Sequence, residues 1–169
     1  MALDDRDDTA EGVAFLLAQV GHHAANLFAE QMATIGLTPP HAGILRAIAA
    51  EPGRSQQALS AQLGLLPSRV VAYVDDLEDR GYVERRRNPD DRRLHALHLS
   101  ASGRKLMKQI GDLARRHDRR LTAGLTAAQR TTLRELLAGL AAQEGLTPHV
   151  HPGYRALGRP NGPRVKPTG

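Results

Sequence analysis

Residues 80–100 read RGYVERRRNPDDRRLHALHLS: a basic run, a turn, a second basic run and an alternating apolar stretch. Residues 82–87 (YVERRR) and 94–100 (LHALHLS) carry the period of two that belongs to strands, with Leu97 and Leu99 sharing a face. Between them, NPDD offers Asn at the first and Pro at the second position of a type I turn. The stretch therefore predicts a β-hairpin whose tip is flanked by Arg85, Arg86 and Arg87 on one side and Arg92 and Arg93 on the other. Asp90 and Asp91 sit between the two runs.

Upstream of the hairpin the period becomes helical. Pro67 opens a helix with Val70, Tyr73, Val74 and Leu77 on one side, ended by Gly81. Before it, Ser55 is a cap candidate for a short helix with Ala58, Leu59 and Leu63 as its stripe, stopped at Gly64. Two short helices across a tight glycine-containing connection make a helix-turn-helix. Thr38 and Pro39 start a further helix with His41, Ile44, Leu45 and Ile48 facing inward, closed by EPGR. From Asp8 to Ile35 the residues Val13, Leu16, Val20, Ala24, Leu27 and Ile35 recur at helical spacing, with Asp8 and Glu11 placed as a capping pair and Gly36 as the stop.

Downstream, Ser100 begins a helix with Leu106, Ile110, Leu113, His117 and Leu121 as its buried stripe, broken at Gly124. TAAQ at residues 126–129 has capping-box spacing, and Leu133, Leu136, Leu137 and Leu140 give the last helix an apolar face. Beyond Gly145 half of the chain's prolines collect in a basic stretch without periodicity, which reads as an extended or disordered arm.

Composition narrows the chemistry. The net charge is +5, but Arg155, Arg159, Arg164 and Lys166 contribute four of those charges within residues 148–169, which hold no acid. Distribution rather than total charge must therefore carry any argument about nucleic acid. There is no cysteine, which excludes disulfides, thiolate zinc sites and thiol redox sensing. Only five residues are aromatic, which argues against binding of single strands by base stacking. No apolar run approaches a membrane span, so the expected location is cytoplasmic with no membrane partner. The eight histidines show no HExxH spacing, His22 and His23 point in different directions on a helix, and His95 and His98 fall on opposite faces of a strand. No metal and no cofactor is expected, and His117 reads as a hydrogen-bonded core residue.

The order helix, helix, helix-turn-helix, β-hairpin, helix, helix is that of a winged helix-turn-helix domain framed by helices from both ends of the chain. Over roughly residues 10–145 the sequence resembles the multiple antibiotic resistance regulator (MarR) family, most closely in GLTPPHAGIL (36–45), LEDRGYVERRRNPDDRR (77–93) and LHLSASGRKL (97–106). The expected fold class is mostly α with a small β-wing: a winged helix-turn-helix domain flanked by N- and C-terminal dimerisation helices. Its expected parts are an acidic lead (1–9), an N-terminal dimerisation helix (10–37), the DNA-binding lobe (38–99), C-terminal dimerisation helices (100–147) and a basic Pro/Gly-rich tail (148–169).

Physical reasoning assigns the residues beside that resemblance. In the helix from Pro67 the exposed positions of the first turns are Ser68, Arg69 and Ala72, with Val71 close by, and these would enter the major groove. Asp75, Asp76, Glu78 and Asp79 crowd the other end, which should point away from phosphates. The resemblance implies that the wing arginine two positions after an aspartate enters the minor groove; Asp91 and Arg93 match that spacing, with Asp91 orienting Arg93. Arg92 and the run Arg85, Arg86 and Arg87 would neutralise flanking phosphates, and Ser55, Gln56 and Gln57 could donate to phosphate from a helix N-terminus.

Arginines in an exposed hairpin are equally compatible with a solvated surface paired to Glu84, Asp90 and Asp91, and the preceding helix-turn-helix is what turns the reading to double-stranded DNA. The resemblance further implies a homodimer on an inverted repeat and a small aromatic or anionic effector between the end helices and the winged lobe, with His22, Asn26 and His41 as candidate liners. The expectation is a ligand-responsive repressor. Its rivals are an architectural DNA-binding module without ligand response and an enzyme, the latter disfavoured because no nucleophile, acid–base pair or phosphate loop has recognisable spacing.

Overall fold

The computed structural model describes residues 12–87 and 95–151. Along them run α1 (Val13–Ala33), α2 (Pro39–Ala50), α3 (Gln56–Leu63), α4 (Pro67–Asp79), β1 (Val83–Arg87), β2 (His95–Leu99), α5 (Ala101–Leu121) and α6 (Ala127–Gln143). The architecture is mostly α with a small β-wing, as the sequence predicts. The proposed cap at Asp8 and Glu11, the hairpin turn at residues 88–91 with Asp91, Arg92 and Arg93, and most of the basic tail lie outside the described residues.

Local chemistry sets the borders. The Ser55 hydroxyl accepts from the Ala58 N–H at 3.1 Å to start α3, and Gly64 at φ 64° ends it in the left-handed conformation that a side chain would strain. The Ser100 hydroxyl caps α5 by accepting from the Gly103 N–H at 2.9 Å. Thr126 and Gln129 form the expected reciprocal box at the start of α6, at 3.2 and 2.8 Å.

Helix α2 runs through the centre: His41, Ile44, Leu45 and Ile48 are buried, as are Ala42, Gly43 and Ala47. Around it pack Met32, Leu59, Leu77, Leu97 and Ile110, all at or below 1% exposure. Outside this core the apolar stripes of the end helices stay open within the single chain, with Val13 71%, Val20 57% and Leu136 63% exposed. The apolar stripe along α1 is covered only towards its C-terminal end, where Met32 joins the core.

The wing is anchored at its root. Strands β1 and β2 pair antiparallel with Val83 opposite Leu99, Arg85 opposite Leu97 and Arg87 opposite His95. On its other edge, Leu97 donates to the Arg54 carbonyl at 3.0 Å and accepts from the Gly53 N–H at 2.8 Å, adding a short third bridge that the sequence did not announce. The Ser100 hydroxyl donates to the Gly81 carbonyl at 2.6 Å, and α5 presses so closely on this corner that a Cβ at Gly103 would sit 2.0 Å from the Tyr82 carbonyl oxygen.

Because backbone rather than a flexible side chain blocks that position, Gly103→Ala should lower the unfolding free energy by about 2–3 kcal/mol. At Gly111 a Cβ would meet only the far end of Arg115 at 3.4 Å, so Gly111→Ala should raise it by about 0.5–1 kcal/mol. Chemical denaturation of the two variants against wild type measures both.

Candidate nucleic-acid interface

Three fully buried residues, Val70, Val74 and Leu77, fix the rotation of α4 about its axis. That rotation leaves Ser68, Arg69 and Ala72 exposed together on the first two turns, where residues three and four apart are neighbours. Leu66 and Val71, 46% and 41% exposed, complete the same surface. The acidic end is less bare than the sequence implies. Asp75 and Glu78 both hold Arg85, and Asp76 lies 3.1 Å from His41 Nε2 and 3.0 Å from Arg80 Nε.

Arg85 corrects the reading of the basic strand as a row of phosphate contacts. Strand parity puts it on the same face as Val83, opposite Leu97, so it points at α4 instead of solvent. Its side chain is 20% exposed and bonded to Glu78 and Asp75, while its backbone N–H donates to Glu78 Oε1 at 3.3 Å. Burial disfavours its charge, but the hydrogen bonds and charges of Asp75 and Glu78 outweigh this and raise its pKa above the ordinary guanidinium value. Arg86 is on the opposite face and pairs with Glu84 at 2.9 Å, both exposed. Arg87 is exposed at the outer end of β1.

At the start of α3 the Ser55 hydroxyl serves as the cap, and the Gln56 amide nitrogen is buried without a hydrogen-bond partner. Gln57 is exposed. Of the three, its side chain is the one placed to reach a backbone outside the protein.

The expected effector liners are used differently. Asn26 Nδ2 lies 3.0 Å from His22 Nε2 on the exposed side of α1. His41 is 7% exposed and serves as a structural tie: its Nδ1 accepts from the Thr38 N–H at 3.0 Å, which puts the ring proton on Nε2 facing Asp76. Tyr73 meets the same ring edge-on at 4.8 Å. Burial lowers the His41 pKa, and the Asp76 charge opposes this only in part.

A cleft of about 820 Å³ opens elsewhere, between α1, α2, the end of α5, α6 and the segment 146–151. Phe28, Arg46 and His117 line it, amid a wall of glycine and alanine from α1, α2 and α6. The rings of Phe28 and His117 are 5.6 Å apart and tilted by 55°. His117 is thus a wall residue rather than a hydrogen-bonded core residue; its Nδ1 is buried without a partner, and burial lowers its pKa. Alanines at positions 24, 25, 138, 141 and 142 were the available signal, since small residues on facing helices leave space.

Arg85→Ala should cost about 1–2 kcal/mol of stability. Arg87→Ala should leave stability unchanged and reduce the salt slope by about one, as loss of one phosphate contact does. For His41 and His117, protonation is disfavoured in the folded state, so the unfolded chain binds more protons as pH falls below about 6.5, and stability should drop through that window down to the folded pKa. NMR titration of the two rings, with midpoints below the ordinary value, checks the direction, and His41→Gln should flatten the stability profile.

A model of the MarR family matches residues 35–94. A regulatory protein of Thauera aromatica named for transcription of the hcr operon is 37% identical over 115 residues, 68% of this chain and 69% of the relative. An HTH-type transcriptional repressor of Mycobacterium tuberculosis is 30% identical over 136 residues, 80% of this chain and 96% of the relative. Among solved structures, the transcriptional repressor CouR bound to a 23-mer DNA duplex superposes with a TM-score of 0.69 at 33% identity, covering 83% of this chain and 99% of that one. With its helix-turn-helix, its β-wing and these relatives, the chain belongs to the MarR family of winged helix-turn-helix transcriptional regulators.

Proposed function

We propose that the chain is a sequence-specific double-stranded DNA-binding repressor that works as a homodimer on an inverted repeat and is relieved by a small aromatic or anionic effector. The observation that carries the reading is the exposed surface of Ser68, Arg69 and Ala72 on a helix whose other face is buried, in a fold shared with the repressor CouR, whose structure is bound to duplex DNA. Arg69 suits guanine, whose N7 and O6 accept two hydrogen bonds from a guanidinium. Arg93, oriented by Asp91, enters the minor groove from the wing, while Arg87 and Arg92 sit at phosphates.

The open leucines and valines of α1 and α6 support the dimer, since a stripe of this length would otherwise stay in water. Residues 10–37 and 100–147 thus supply the dimerisation helices, and residues 38–99 the DNA-binding lobe. Two recognition helices then reach successive major grooves about 34–36 Å apart. The effector belongs in the cleft by Phe28, Arg46 and His117, where a flat apolar body meets small side chains and an anionic group meets a guanidinium. Among the described residues no helix is long and apolar enough to cross a membrane, in keeping with a regulator at cytoplasmic DNA.

Fluorescence anisotropy on duplex from the gene's own upstream region against a scrambled duplex, across a salt series, tests the core of this. Wild type should prefer the native duplex, and Arg69→Ala and Arg93→Ala should each lose about tenfold or more. Equal binding to both duplexes favours an architectural module instead, and no binding at low salt rejects DNA as the partner. Leu136→Glu should shift the light-scattering mass from dimer to monomer if α6 is the seam.

A further inference from the structure

The exposed surface of α4's first two turns is unusual in what it lacks. It offers one guanidinium, one hydroxyl and otherwise carbon: Leu66, Val71 and Ala72. Folding does not account for Val71. The core side of the helix is already filled by Val70, Val74 and Leu77 at 0% exposure, whereas Val71 is 41% exposed. A β-branched residue at an exposed helical position is also a poorer helix former than alanine, so the position costs local stability without gaining burial.

Its neighbours make the position useful. On a helix Val71 adjoins Ser68 one turn before and Asp75 one turn after. A free carboxylate at Asp75 would keep this patch away from a polyanion. Arg85 of β1 bonds that carboxylate, and the ion pair neutralises the one charge next to Val71. The patch is continuous with Arg69 through Ala72, three residues on. In the major groove the one apolar group at a base edge is the C5-methyl of thymine.

Resting on the reading of α4 as the recognition helix, we infer that Val71 recognises a thymine methyl beside the guanine bound by Arg69. Arg69 and Val71 flank Ser68 and Ala72 from opposite sides of the exposed face and are about 3 Å apart along the axis, so together they span roughly one to two base pairs at about 3.4 Å each. Each half-site therefore carries thymine within one or two steps of that guanine. Arg69 sets one base by hydrogen bonds, and Val71 sets a nearby one by apolar contact with the methyl group that the other three bases lack.

The test needs no known operator. Duplexes are selected from a random pool with the full chain, and each thymine of the selected half-site is replaced in turn by deoxyuridine, which removes the methyl and keeps the pairing. One replacement near the guanine should weaken wild type roughly threefold to tenfold, the burial of a methyl. Val71→Ala, with its helical content verified by circular dichroism, should bind the thymine and deoxyuridine duplexes alike. Selected duplexes that bind wild type without sensitivity to deoxyuridine overturn the inference and leave the repressor reading intact, as does a sensitivity that persists in Val71→Ala. Failure to enrich any duplex overturns both.

Discussion

Everything the wing can do depends on how it is held at Leu97. That residue pairs with Arg85 across the hairpin, bonds Gly53 and Arg54 on its other edge and buries its side chain completely. An isolated two-stranded hairpin is marginal in water. Here the strand nearest the core is clasped on both edges, and the Ser100 hydroxyl and the Gly103 contact lock the next helix against the same corner. The hairpin therefore rests on a fixed base at its root.

Much of this was legible because short-range chemistry wrote it. Ser55 and Thr126 are caps in the sequence and caps in the structure, Ser100 marks the start of α5 in both, and the spacing of Val70, Val74 and Leu77 fixed the face of α4 that looks outward. Arg85 was misread although the signal was present: counting alternate residues from Val83 puts it on the inner face. Its partners were not legible, because nothing local says that Asp75 and Glu78 of the preceding helix stand across from it. The bridge from Arg54 to Leu97 was hidden for the same reason, lying 43 positions apart along the chain.

The cleft marks a different limit. Sequence periodicity identifies polar residues near a crevice but not which way they turn, so His22, Asn26 and His41 drew notice while His41 in fact ties two helices together. The space itself is written in what is missing, a set of alanines and glycines from three helices that meet only after folding. Similarly, the apolar stripes of α1 and α6 are plain in the sequence, but their exposure is a property of the folded single chain.

The tie at the far end of α4 has a mechanical side. Arg80 donates to the Gly36 carbonyl at 2.7 Å and pairs with Asp76, which faces His41, so the end of α4 is fastened to the bend between α1 and α2. Helix α4 has 13 residues, and at about 1.5 Å per residue its leading tip is roughly 20 Å from that fastening. Val70 near its start is buried in the same core as Met32, Ile44 and Leu77, so the helix is held along its length as well as at that end. Helix α2 supplies both the fastening, through His41, and one wall of the cleft, through Arg46. A displacement of α2 is therefore shared by α4 as a whole, because one packed core and one set of ties join the two helices.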